Sequence, residues 1–240
     1  MAQPENLGSG HIDTRWNDIL KVGGIASLII VSLIPFQLFI FTVWPPPGNA
    51  LDFFALFQKN WFLGLLSLDL LYIISDALLI LVYLGLFASL KHVNLSYMII
   101  AVVIGFIGIV AYFASSAAFE MLSLSRQYAI AVNEAQRQQF LAAGEAMLAI
   151  YKGTAFDVYY ILNAITLLII SFVMLRDNTF SKATAISGLI SGVLMTIPTT
   201  AGMIGAIFGI ASLIPWIVFS VLIALRFFKI SQNSAPCKIS

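Results

Sequence analysis

Asp69 and Asp76 stand in the stretch DLLYIISD, within a run from Trp61 to Leu90 that is otherwise almost wholly apolar. On one continuous helix, seven residues bring Asp76 back to within ~20° of Asp69, two turns and ~10 Å further along. The spacing therefore predicts both carboxylates on one face, with Tyr72 and Tyr83 close to the same stripe. A carboxylate facing hydrocarbon costs ~2.5–3.5 kcal/mol, so such a face turns inward. Asp157 and Tyr160, three apart, lie beside the line Tyr159, Asn163, Thr166 and predict a matching face further along the chain. Tyr112, Ser115 and Ser116 supply a third, with Glu120 beyond them, and Thr196, Thr199 and Thr200 a fourth.

No lysine or arginine lies centrally in any of these runs. Three solutions are open to the carboxylates: they stay protonated, they accept hydrogen bonds from tyrosines and serines, or they hold a cation. The first two together make a network that fixes helix packing. The third makes a binding or proton-relay site lined by Asp69, Tyr72, Asp76, Tyr112, Ser115, Ser116, Asp157, Tyr160 and Asn163.

Catalysis has less support. Aspartates that share a proton stand ~3 Å apart in aspartic proteases, and Asp69 and Asp76 on one helix are too far apart for that. Asp69 and Asp157 could meet across two helices. However, the YD and GxGD pair of presenilin-like intramembrane proteases is replaced by LD at Asp69, SD at Asp76 and FD at Asp157. The only histidines are His11 and His92 and the only cysteine is Cys237, so zinc, haem and ceramidase-type metal spacings are all missing. There is no GxSxG elbow either. The expectation is a protein that is not an enzyme and needs no cofactor.

The elements that position these residues follow from composition. Of 240 residues, 60% are hydrophobic and only 10% charged, with a mean hydropathy of +0.98. Soluble domains carry about 25% charged residues, and ~20 apolar residues span a bilayer. The expected fold is an all-α polytopic bundle of six spans: 24–44, 61–90, 97–118, 154–175, 183–201 and 205–228. A polar N-terminal segment, 1–23, and a polar tail, 229–240, flank this membrane domain. The first span ends in WPPPG rather than a cleavage site, so it reads as a retained helix and not a signal peptide. Pro35, Pro198 and Pro215 fall inside spans and should kink them. A net charge of +1 argues against nucleic acid as a partner; the bilayer is the expected one.

Orientation follows from lysine and arginine. With the N-terminus inside, Arg15, Lys21, Lys91, Arg176, Lys182, Arg226, Lys229 and Lys238 are cytoplasmic, against Lys59, Arg126, Arg137 and Lys152 outside. Both termini should then face the cytoplasm, and the polar faces of four spans converge on the outer leaflet. The outer segment 45–60 carries Leu51, Phe53, Phe54, Leu56 and Phe57, followed by Trp61, and reads as an interfacial helix. The loop 119–153 should hold an amphipathic helix, with Asn133 as N-cap and Gly153 as stop. It either lies on the membrane surface or covers the polar interior. Gly188/Gly192 and Gly205/Gly209 are GxxxG spacings that permit close helix contact within the chain, with a second copy or with a membrane-protein partner. SLIP occurs at Ser32–Pro35 and again at Ser212–Pro215, a short match in spans of opposite direction.

The stretch GEAMLAIYKGTAFDVYYILNAITLLIISFVMLR, followed by FSKATAISGLISGVLMTIPTTAGMIGAIFGIASLIPWIVFSVLIALRFFK, resembles a widespread bacterial family of small multispan membrane proteins catalogued as a domain of unknown function. The likeness covers about the C-terminal two-thirds, with its long outer loop, GTAFD-type start to a span and final LIPW span. It implies a bacterial inner-membrane location and brings no activity, substrate or site residues. Two functional expectations remain: a small transporter or binding protein with an outward-facing polar pocket, and a structural or accessory subunit whose polar residues hold helices together.

Overall fold

The computed structural model describes residues 16–233. His11, Arg15, Cys237, Lys238 and most of both polar terminal segments lie outside the described residues. All ten regular elements among the described residues are helices: α1 (Asn17–Val43), α2 (Ala50–Lys59), α3 (Trp61–Ser67), α4 (Leu70–Leu90), α5 (Leu95–Ser115), α6 (Ala118–Ile130), α7 (Glu134–Tyr151), α8 (Thr154–Met174), α9 (Lys182–Leu194) and α10 (Gly202–Asn233). Short polar side chains start several of them. Asn49, Asn60, Asn94, Asn133 and Ser181 each accept a backbone N–H of the first turn, satisfying a donor that the helix leaves unpaired.

Among the described residues, five helical stretches are long and apolar enough to cross a membrane, those containing α1, α4, α5, α8 and α10. This is the architecture of a multi-pass membrane protein. The fifth expected span, 183–201, is shorter than its sequence suggests. Its helix, α9, has 13 residues, and the chain turns through Pro198 before α10 begins at Gly202. Pro198 therefore sits in a connection rather than inside a helix, because its ring cannot follow the preceding helical carbonyls. Pro35 and Pro215 do lie within α1 and α10.

Six of the helices form a closed ring in the order α4, α1, α10, α9, α8, α5, with α5 returning to α4. Half of the ring is solidly packed. Leu86, Ile170, Phe219, Ile223 and Phe227 fill it, and glycines let the helices close on those rings. A Cβ on Gly85 would stand 2.7 Å from Phe227 Cε2, and one on Gly188 2.8 Å from Phe219 Cε2. A Cβ on Gly192 would meet Leu168 at 2.9 Å, so the Gly188/Gly192 pair packs helices within the chain. Beyond this half, Lys91 stacks over Trp16 at 3.9 Å and Arg176 over Phe172 at 4.3 Å. His92 lies 3.5 Å from Asp177, and Arg226 donates to the Thr179 carbonyl.

At the other end stands a four-helix cap. The run Trp61–Leu90 is not one helix: it breaks at Leu68 and Asp69, where Asp69 takes a left-handed conformation, φ 62°. Aspartate is among the few non-glycine residues that tolerate this region. Similar joints fall at Ser116–Ala117 and Lys152–Gly153, so α3, α6 and α7 stand directly on the ends of α4, α5 and α8. Together with α2 they bury a core of their own around Phe53, Phe54, Phe57, Leu65, Leu68 and Met121. Phe54 is fully buried against Tyr128, ring centroids 5.4 Å apart, and Glu145 of α7 accepts the Ala50 N–H at 2.9 Å. The aromatic residues expected as interfacial anchors are thus mostly the cap's interior; Leu51 and Trp61 alone of that group are exposed. The loop helix is α7, and it packs on α2 and α6.

Candidate functional site: an acidic, tyrosine-lined cavity beneath the cap

On the cap side the ring does not close on itself. A cavity of about 700 Å³ remains between α1, α4, α5, α8 and α10, with Tyr151 and Lys152 at the end of α7 in its wall. Its far side is formed by Leu79, Leu167, Met195 and Trp216, where Tyr83 donates to Asn163 Oδ1 at 2.5 Å. Asn163 in turn donates to the Tyr159 carbonyl at 3.0 Å, one turn back on α8.

Both carboxylates of the opening motif line this cavity. Asp69 is 8% exposed and Asp76 3%. Asp69 accepts the hydroxyl of Tyr151, which ties the end of α7 to the break before α4, and Tyr112 lies beside it. Asp76 Oδ1 accepts from Tyr159 at 3.1 Å. Its other oxygen, Oδ2, is buried and has no hydrogen-bond partner. Neither carboxylate has a lysine or arginine partner among the described residues. A buried charge acceptor left open in this way is costly unless a proton, a donor or a cation completes it.

Aromatic rings crowd around these groups. Tyr112 and Tyr159 stand 4.7 Å apart between centroids, and Phe156 stacks with Tyr160 at 5.9 Å. Tyr72, Tyr112, Tyr160 and Asn163 all line the cavity, where the sequence expected them. Three expected members do not. Ser115 is buried but donates to its own helix, to the Tyr112 carbonyl at 2.8 Å. Ser116 is the C-cap of α5, at the joint to α6. Asp157 sits in the first turn of α8, where a helix N-terminus favours a negative side chain, and accepts the hydroxyl of Thr200. It lies outside the cavity wall and ties α8 to the α9–α10 connection. Asp69 and Asp157 thus have different surroundings, and the acidic pair that shares the cavity is Asp69 with Asp76. Glu120 is exposed on α6, and Thr196 only bonds the Val193 carbonyl at 2.7 Å.

Other lining residues stood outside the expected set. Tyr159 was visible as a line beside Asp157, and Thr199 and Thr200 as the end of a polar run; Ser75 gave no signal of its own. Tyr151 read as one residue of an amphipathic loop helix. Nothing local says that this helix ends above the break in another. Trp216 read as an apolar residue of the last span. No family model matches this chain, and no curated protein or solved structure does either, which neither supports nor overturns the likeness drawn from the C-terminal two-thirds.

Proposed function

We propose that this is a six-span membrane protein of the cell membrane that binds a small solute, a cation or a proton-coupled species in the cavity beneath its cap. In this reading α9 and the turn after it make the fifth of the six crossings. The lysine and arginine bias puts both termini in the cytoplasm, so the cap and the cavity face outward. The observation that carries the reading is Asp76: a carboxylate 3% exposed, with one oxygen unpartnered, in the wall of a cavity of about 700 Å³. That volume is within the range of small-molecule sites, roughly 300–1,000 Å³.

The packing-network reading draws support from other polar groups. Thr166 donates to the Ala101 carbonyl at 3.0 Å, Ser27 to the Ser220 carbonyl at 2.9 Å, and Tyr83 to Asn163. These bonds link α8 to α5, α1 to α10 and α4 to α8, as helix-joining polar groups do. They leave Asp76 Oδ2 unexplained. The test is purification of the wild type and Asp76→Asn from native membranes in mild detergent, with mass spectrometry of released small molecules and thermal unfolding of both. Binding predicts a co-purifying solute, or a ligand-dependent rise in melting temperature, lost in Asp76→Asn. Asp76→Asn protein that melts lower, with nothing released from either form and no ligand-dependent rise in the wild type, would leave only the packing role.

A further inference from the structure

We propose that the ligand of this cavity is an organic ammonium ion with an apolar body, its nitrogen seated at Asp76 among tyrosine rings. The inference rests on the binding reading above and narrows its ligand class. Asp76 Oδ1 is already taken by Tyr159, so Oδ2 is the free acceptor. Tyr72, Tyr112, Tyr159 and Tyr160 share the wall with it, and a cation over aromatic faces gains from each ring it covers. Aromatic enclosures with a nearby carboxylate suit alkylated nitrogen, which is large, weakly hydrated and positively charged.

A small metal ion fits less well. Asp69 stands at the left-handed break before α4, and Asp76 lies nearly two turns into that helix. A calcium ion needs six to eight oxygens at roughly 2.3–2.6 Å, and no group of three His, Cys, Asp or Glu side chains comes together among the described residues. The rest of the wall argues for an apolar body. Ile30, Ile34, Leu79, Leu167 and Leu213 line it, and they offer no hydration to an inorganic ion. Leu38 of α1 and Ile210 of α10 belong to the wall and are 43% and 68% exposed.

The test is calorimetric titration of the full chain in lipid nanodiscs, with empty discs subtracted. The probes are (6-hydroxyhexyl)trimethylammonium, its neutral carbon isostere 7,7-dimethyloctan-1-ol, tetramethylammonium and sodium. Saturable binding of the long cation is expected, with the neutral isostere, tetramethylammonium and Asp76→Asn each weaker by about tenfold or more. Equal binding of the neutral isostere, or an unchanged affinity in Asp76→Asn, overturns the ammonium assignment while leaving a binding cavity. Binding of sodium with no organic probe overturns it in favour of an inorganic ion. If Asp76→Asn fails to fold, the comparison of cation with isostere on the wild type decides alone. No binding by any probe, with the native-membrane protein also empty, removes the binding reading as a whole.

Discussion

Tyr151→Phe is the sharpest probe of how the cap is held over the cavity. The change removes one hydroxyl and keeps the ring, so it opens no void. The hydroxyl donates to Asp69 across the joint between α7 and α4. A hydrogen bond to a charged group contributes about 1.5–3 kcal/mol. Tyr112 stays beside Asp69 and Tyr151 is only half-buried, so the loss should fall at the lower end, about 1.5 kcal/mol. Because about 1.4 kcal/mol is tenfold in an equilibrium, local opening of the joint at Lys152–Gly153 should rise roughly tenfold. Limited trypsin digestion reads this directly, since Lys152 is in the joint and Arg137 lies early in the same helix. Cleavage at Lys152 follows the open population when opening is fast relative to cutting. The expected result is about tenfold faster cleavage at Lys152 with little change at Arg137. In an Asp69→Asn background the added effect of Tyr151→Phe should shrink, because a neutral acceptor is worth only ~0.5–1.5 kcal/mol. An unchanged rate at Lys152, or an equal rise at both sites, would refute the idea that this bond latches the cap.

Phe54→Ala should unfold the cap selectively. Phe54 is fully buried against Tyr128, and such truncations cost about 3–5 kcal/mol; proteolysis should then attack α2, α6 and α7 while the ring stays helical by circular dichroism. Gly85→Ala should destabilise the packed half by about 1–3 kcal/mol, since its Cβ would press on Phe227 at 2.7 Å, seen as a lower melting temperature in detergent. At the far end, partial burial pushes the Asp177 carboxyl up, but hydrogen bonds from the Thr179 hydroxyl and N–H and the Asn178 N–H, with His92 nearby, bring it below the usual carboxylate range. A carboxyl lowered on folding stabilises above its unfolded pKa, about 3.9, and loses that contribution as pH falls through the folded value. Asp177→Asn should therefore melt lower than wild type at pH 7, with the gap closing below about pH 4; a gap constant with pH would exclude this linkage.

The sequence by itself determined that this chain is a bundle of apolar helices with an acidic, tyrosine-rich interior. Apolar runs near twenty residues and the scarcity of charge dictate the first, and the cost of a carboxylate in hydrocarbon dictates the second. Asp69, Tyr72, Asp76, Tyr112, Tyr160 and Asn163 reached one cavity because each lies on a polar line that can face nothing but the interior. Only the tertiary structure decided which acids meet there. The left-handed turn at Asp69 splits a run that periodicity reads as a single helix, because a one-residue reversal leaves hydropathy unchanged. That break lets the cap stand on α4 and brings Tyr151 down onto Asp69. Asp157, one step round α8 from the cavity wall, instead ties off the α9–α10 connection through Thr200. Such a partition depends on how helices pack, as where Gly105 and Gly108 let α5 close on Tyr83 and Asn163, contacts that no single helix encodes.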